Sequence, residues 1–320
     1  MWIRSHRDLP LKIYHRANVF RYETKATRPL IRGREFYWIE AHDCFTKKSE
    51  AEHQVEEDIA MTESVMHRIF GVPFLPMRRP KWDTFPGADY TIGSDCIMPD
   101  GKVIQQPSTH MLGTHFSKAF DIKYTDESEK ESYVYQTCYG PAMSRIMASV
   151  ISAHGDDNGL ILPYILSPVQ VVIVPMHSAK SKNKIDKAVA QMNAKFFDEY
   201  VDSKVDDSDK RPGEKFFHWE MKGVPFRIEF GEKELEKSEA TVFIRDTKEK
   251  VSIKLDNIVE EIKNLGAEYD ARLFSKADEF FESRIRDYND KKEIKKALDS
   301  GNIARFNFCS TGSDGQKCAD

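Results

Sequence analysis

The chain has 320 residues, of which 40% are hydrophobic and 31% charged, and its formal net charge is −4. That size accommodates two or three ordinary globular domains. It contains no apolar run long enough to span a bilayer and no opening that reads as a secretory leader. A net negative charge excludes a global positive field for nucleic acid, so any RNA contact must rest on local basic patches. Cys44, Cys96, Cys138, Cys309 and Cys318 are too few and too scattered for a disulfide framework. Cys44, Cys96 and Cys138 fit reduced thiols in the cytoplasm.

In chain order, the first element of interest is Phe20–His42, two expected strands joined by a basic loop. Strand side chains alternate in direction. Phe36, Trp38, Glu40 and His42 therefore share one face, a set suited to a small amphipathic ligand. Arg21, Lys25, Arg28, Arg32 and Arg34 surround and occupy the loop. Guanidinium groups match phosphate oxygens bidentately, so this cluster points to a polyphosphate. An earlier basic patch runs from Arg4 through Arg7, Lys12 and Arg16.

A helix is expected next, opened by a capping box from Ser49 to Glu52. Val55, Ile59, Met66 and Ile69 approximate its apolar face, and Gly71 and Pro73 stop it. Strands follow over Tyr90–Met98, Gly101–Gln106, Ser132–Cys138 and Met147–Ser152. Local strand pairing with few helices predicts a largely antiparallel sheet. After a connector, Asp157–Ser167, the pattern changes. An apolar strand from Val169 to Pro175 precedes a helix marked by Ile185, Val189, Met192 and Phe196. Strands over Val224–Phe230 and Ala240–Ile244 and a helix from Leu255 to Leu265 complete a compact α/β domain. A charged helical region follows from about Ala267. Within it Cys309 and Cys318 supply two thiols, where a zinc site needs about four ligands.

Several segments carry a family resemblance. Arg21-Tyr22-Glu23, the basic loop and Arg34-Glu35-Phe36 resemble the second signature of class II aminoacyl-tRNA synthetases, and REFYWIEAH resembles the prolyl-tRNA synthetases of archaeal and eukaryotic type. KWDTFPGADYT, GKVIQQPSTHMLGTHFSK and YQTCYGPAMSRIMASVISAHGDDNGLILP agree in order and spacing. RPGEKFFHWEMKGVPFRIEFG and TVFIRDT resemble the shared anticodon-binding domain. The implied fold is α+β: an antiparallel class II catalytic domain over residues 1–160, an α/β anticodon-binding domain over 168–265 and a C-terminal module over 266–320.

The resemblance implies ATP-dependent activation of proline and its transfer to tRNA(Pro). Arg21 and Arg145 would be catalytic. Arg21, Glu23, Arg32, Gln105, Ser108 and Arg145 would bind ATP, with Mg²⁺ bridging phosphate oxygens. Phe36, Trp38, Glu40, His42, His110, Cys138 and Gly140 would form the proline pocket. Arg211, Lys215, Trp219, Glu220 and Arg245 are candidates for reading anticodon bases. His154-Gly155-Asp156-Asp157 would be a turn closing the catalytic domain, and relatives often carry a C-terminal cysteine-ligated zinc module. A homodimer without membrane attachment is expected. The first class II signature and an upstream proline-gripping loop would precede Trp2, so the expectation is a chain that opens within the catalytic domain and stops inside the C-terminal module. Two departures stand out: Gly33 replaces a frequent threonine, and Gly140–Arg145 reads one residue long, which would shift Arg145. The alternative function is a non-catalytic tRNA-binding paralogue. Another class IIa synthetase fits less well, since a threonyl enzyme would need zinc ligands in the pocket.

Overall fold

The computed structural model describes residues 2–319 apart from Ala179, and the side chain of Cys318 lies outside the described residues. It divides into two compact units, one formed by residues 1–68, 72–149 and 279–320, the other by 69–71 and 150–278.

The first unit is built on strands β1 (Leu11–Phe20) and β2 (Glu35–Phe45), helix α1 (Lys48–Thr62), and strands β3 (Leu75–Arg78), β4 (Tyr90–Ile97) and β5 (Val103–Gly113). A short helix α2 (His115–Ala119) and a small hairpin, β6 (Lys123–Thr125) and β7 (Glu131–Tyr133), lead to β8 (Tyr135–Gly140) and the first part of helix α3 (Met143–His154), which continues into the second unit. Six strands form one sheet in the order β1-β2-β8-β5-β4-β3, every pair antiparallel. Alternation splits the sheet into two faces. Phe45 and Met111 point to the face covered by α1, where they pack with Ala51 and Val55. The other face carries Trp38, Glu40 and His110.

Several details differ from the sequence expectation, among them that the strand expected over Ser132–Cys138 is divided between β7 and β8. The Phe20–His42 stretch contains only the end of β1, and residues between Phe20 and Glu35 form the connection. The capping box sits two residues earlier: the Glu50 carboxylate accepts the Lys47 N–H at 3.1 Å and the Thr46 hydroxyl at 2.9 Å. Residues 147–152 are helical, part of α3. Their short run of β-branched and apolar residues suits either state.

The second unit contains β9 (Val171–Pro175), α4 (Lys182–Asp198), β10 (Ser203–Val205), α5 (Pro212–Met221), β11 (Phe226–Phe230), α6 (Glu232–Lys237), β12 (Glu239–Ile244), β13 (Lys250–Lys254) and most of α7 (Ile258–Arg284). Its sheet runs β10-β9-β11-β12-β13, with β9 parallel to both β10 and β11. Both faces of β9 are closed: Val171 and Ile173 join one core with Ile185, Val189, Met192 and Phe196, while Val172 and Val174 pack with Trp219 and Val224. That double burial explains the unbroken apolar run.

The C-terminal segment of the first unit has a helix over Lys291–Asp299, capped by the Asp290 carboxylate, and exposes Cys309. No helix among the described residues is long and apolar enough to cross a membrane.

Candidate active site

A cavity of about 400 Å³ opens on the uncovered face of the first sheet. That volume suits a small ligand. Its two ends differ chemically.

At one end lie Arg21, just past β1, Arg32 in the connection, and Arg145 in the first turn of α3. The Arg145 guanidinium is aimed by the protein backbone: its Nε donates to the Ile31 carbonyl at 2.9 Å and Nη1 to the Gln105 carbonyl at 3.4 Å. Burial, then repulsion from Arg21 and Arg32, pulls its pKa below the usual arginine value. Among the described residues neither Arg21 nor Arg145 has a carboxylate partner, and Arg32 pairs with Glu23 at 3.1 Å. Cations gathered this way favour an anion between them. Arg21 also lies over the Phe36 ring, 5.1 Å from its centroid.

The other end is walled by aromatics. Phe36 meets Trp38 edge-on at 5.9 Å, and Phe85 lies 4.8 Å from the His110 ring. His110 is held by two hydroxyls, Thr91 Oγ1 at 2.8 Å from Nδ1 and Ser108 Oγ at 3.1 Å from Nε2. Burial lowers its pKa to about 4, so the imidazole is neutral at physiological pH. Glu40 stays ionised. Burial alone would raise its pKa, but the hydrogen bond from His15, the charge of His42 and the hydrogen bond from Cys138 together hold it below the usual glutamate value. Burial pushes the Cys138 thiol up, with Glu40 adding to the shift, and Sγ donates to Glu40 Oε1 at 3.4 Å. A β-carbon at Gly140 would run into the Trp38 indole. The glycine therefore makes room for a pocket wall as well as for a ligand.

Of the residues singled out in the sequence, Arg21, Arg32, Phe36, Trp38, Glu40, Gln105, Ser108, His110, Cys138, Gly140 and Arg145 come together on this cavity. Glu23 stands behind Arg32, and His42 lies past Glu40, 3.3 Å from its carboxylate. Sequence reasoning passed over Phe85, although it lies within the quoted KWDTFPGADYT, and over His15, whose pairing with Glu40 across β1 and β2 is non-local.

In the second unit three of the five candidate RNA contacts have partners inside the fold. Arg245 is fully buried, bonded to Asp156 through Nη1 at 3.0 Å and to the Glu220 carbonyl through Nε at 3.0 Å. Trp219 is buried and donates Nε1–H to Asp206 at 2.7 Å. Lys215 is buried and donates to the Asp206 carbonyl at 2.9 Å. Each of these groups spends its donors within the second unit. Arg211 is exposed at the start of α5 and Glu220 half-buried. His154 contacts the Phe70 carbonyl at 2.9 Å, and Asp156 and Gly159 close a turn.

Two family models match the chain. Residues 1–154 match the tRNA synthetase class II core domain (G, H, P, S and T). Residues 170–265 match the anticodon binding domain. Proline--tRNA ligase of Thermofilum pendens is 44% identical over 324 residues, covering 100% of this chain and 66% of the relative. That of Methanobrevibacter smithii is 41% identical, covering 99% of this chain and 68% of the relative. Among solved structures, prolyl-tRNA synthetase from Cryptosporidium parvum, complexed with halofuginone and AMPPNP, superposes with a TM-score of 0.93 at 32% identity, covering 98% of this chain and 64% of that one. The chain belongs to the proline--tRNA ligase family of class II synthetases, and it spans about two thirds of the length of these relatives.

Proposed function

We propose that the cavity of the first unit activates proline with ATP and that the second unit binds the anticodon arm of tRNA(Pro). One observation carries the reading: a single cavity has unpaired arginines at one end and an aromatic wall with an ionised carboxylate at the other. In the reaction the proline carboxylate attacks the α-phosphorus of ATP and pyrophosphate leaves. The nucleophile is already ionised, so the protein's contribution is positioning and charge neutralisation. Arg21 and Arg145 would hold the α-phosphate and the carboxylate from two sides. Arg32 would hold the terminal phosphates, and Glu23 would accept from the adenine amine. Gln105 and Ser108 would complete the nucleotide's contacts.

Trp38, Phe36 and Phe85 would wall the pyrrolidine ring. Glu40 would accept from the secondary ammonium, with His42 buttressing it. Neutral His110 would contribute shape and a hydrogen bond without a competing positive charge. Cys138 and Gly140 would floor the pocket. Mg²⁺ would offset phosphate charge. The only carboxylate among the described residues lining the cavity is Glu40, so that ion would depend on phosphate oxygens and water. For the second unit, exposed Arg211 and half-buried Glu220 remain the candidate anticodon contacts, beside exposed Phe217 on the same helix. A homodimer and a cytoplasmic setting complete the reading.

The test is proline-dependent ATP–pyrophosphate exchange by the 320-residue chain, with Arg21→Ala as control. Exchange lost by about 100-fold or more in the control supports the reading. If the chain gives no exchange even after fusion to a relative's N-terminal segment, the reading fails.

A further inference from the structure

Around Glu40, a lining residue of the cavity, β1 and β2 bring three metal-ligating side chains together. His15 pairs directly with Glu40 across the strands, and His42 lies two residues along β2 on the same face. Glu40 Oε2 is 3.2 Å from His15 Nε2 and 3.3 Å from His42 Nε2, and all three ligand atoms lie within 4.8 Å of one another. Four ligands about 2.0–2.1 Å from a tetrahedral zinc ion stand about 3.3 Å apart along each edge. Two of the three spacings already have that length. Oε1 of the same carboxylate is engaged by the Cys138 thiol, which turns Oε2 toward the imidazoles. Among the described residues no lysine or arginine pairs with Glu40. Both histidine side chains are about half exposed, so an ion and its water ligand have access.

We propose that His15, Glu40 and His42 form a site for a divalent transition-metal ion, with zinc as the best match and water as the fourth ligand. Two imidazoles and one carboxylate select zinc, cobalt, nickel or copper over the harder magnesium and calcium. Because the ion takes the Glu40 carboxylate, metal and a cationic amine exclude one another. This second half rests on the proline reading above and makes the site an inhibitory one.

The site is tested by zinc titration against a chromogenic chelator without substrates, on the full chain carrying Cys309→Ser and Cys318→Ser. One equivalent bound at micromolar affinity, weakened at least tenfold by His15→Ala and by His42→Ala, supports it. No binding, or binding unchanged in His15→Ala, overturns it. Cobalt supplies an independent readout: a four-coordinate d–d band that His15→Ala removes supports the site, and a purely six-coordinate spectrum overturns it. Repeating the titration in saturating proline isolates the second half. A tenfold fall in apparent zinc affinity supports exclusion, whereas an unchanged affinity overturns exclusion and leaves the metal site standing.

Discussion

The two sheets of this molecule use their faces differently. In the second unit both faces of β9 are closed, and Val171 to Val174 are all fully buried. In the first unit α1 covers one face, and the other carries charged and aromatic side chains around a cavity. A sheet closed on both sides draws its stability from apolar burial. One left open gives up that burial and needs polar groups held in place by one another. Even its covered side is partly polar: Asp43 and Asp58 are buried beneath the sheet, and Asp58 accepts from Thr109 at 2.6 Å and Gln54 at 2.9 Å. The open sheet is therefore locally costly, whereas the closed sheet is not.

Truncating Phe226, fully buried in β11, should break the closed sheet most severely. Phe226→Ala is expected to lose about 3–5 kcal/mol, read by hydrogen exchange of the β9, β11 and β12 amides. Protection unchanged there would contradict a core held by apolar contact. In the open sheet the counterpart is Gly140→Val. The added side chain should drive the Trp38 indole into the cavity and cut proline-dependent exchange by about 100-fold, equivalent to about 2.7 kcal/mol. Melting of the first unit should change far less.

A smaller effect of opposite sign sharpens the contrast. Burial, then the charge of Asp58, raises the Asp43 pKa to about 6. A carboxylate whose pKa is higher folded than unfolded stabilises the protein below the unfolded value, and that contribution disappears as pH rises through 6. At pH 7.5 its ionised form is a burden. Asp43→Asn should therefore raise stability by roughly 1–3 kcal/mol, measured by denaturant titration. The gain should shrink below pH 4.

His110 gives a signal of the reverse pH dependence. Its folded pKa, about 4, lies below the ordinary 6.5, so the unfolded chain binds its proton first. Its contribution is full above pH 6.5 and falls away as pH drops toward 4. Imidazole resonances assigned through His110→Phe should titrate near 4. A midpoint near 6.5 would show an open, solvated ring.

Much of the cavity was legible because it rests on local order. Period two puts Phe36, Trp38 and Glu40 on one face whatever the rest of the chain does. The basic connection between β1 and β2 announces itself by charge, and the apolar β9 and the helix through Ile185 and Phe196 by periodicity. What escaped depends on partners distant in sequence. His15 matters only because β1 pairs with β2 in one register. Trp219, Lys215 and Arg245 have the composition of an RNA-reading surface, yet Asp206 and Asp156 claim them for the interior. Residues 147–152 became helix because α3 continues from Met143, and a six-residue window cannot register that.

The convergence of Arg21, Arg32 and Arg145 also ties folding to ligand. Like charges held close raise the free energy of the native chain, and an anion that enters among them relieves this strain only in the folded state. Mass action then shifts the unfolding equilibrium toward the native state. Pyrophosphate alone is therefore expected to stabilise the first unit, read as a raised unfolding midpoint.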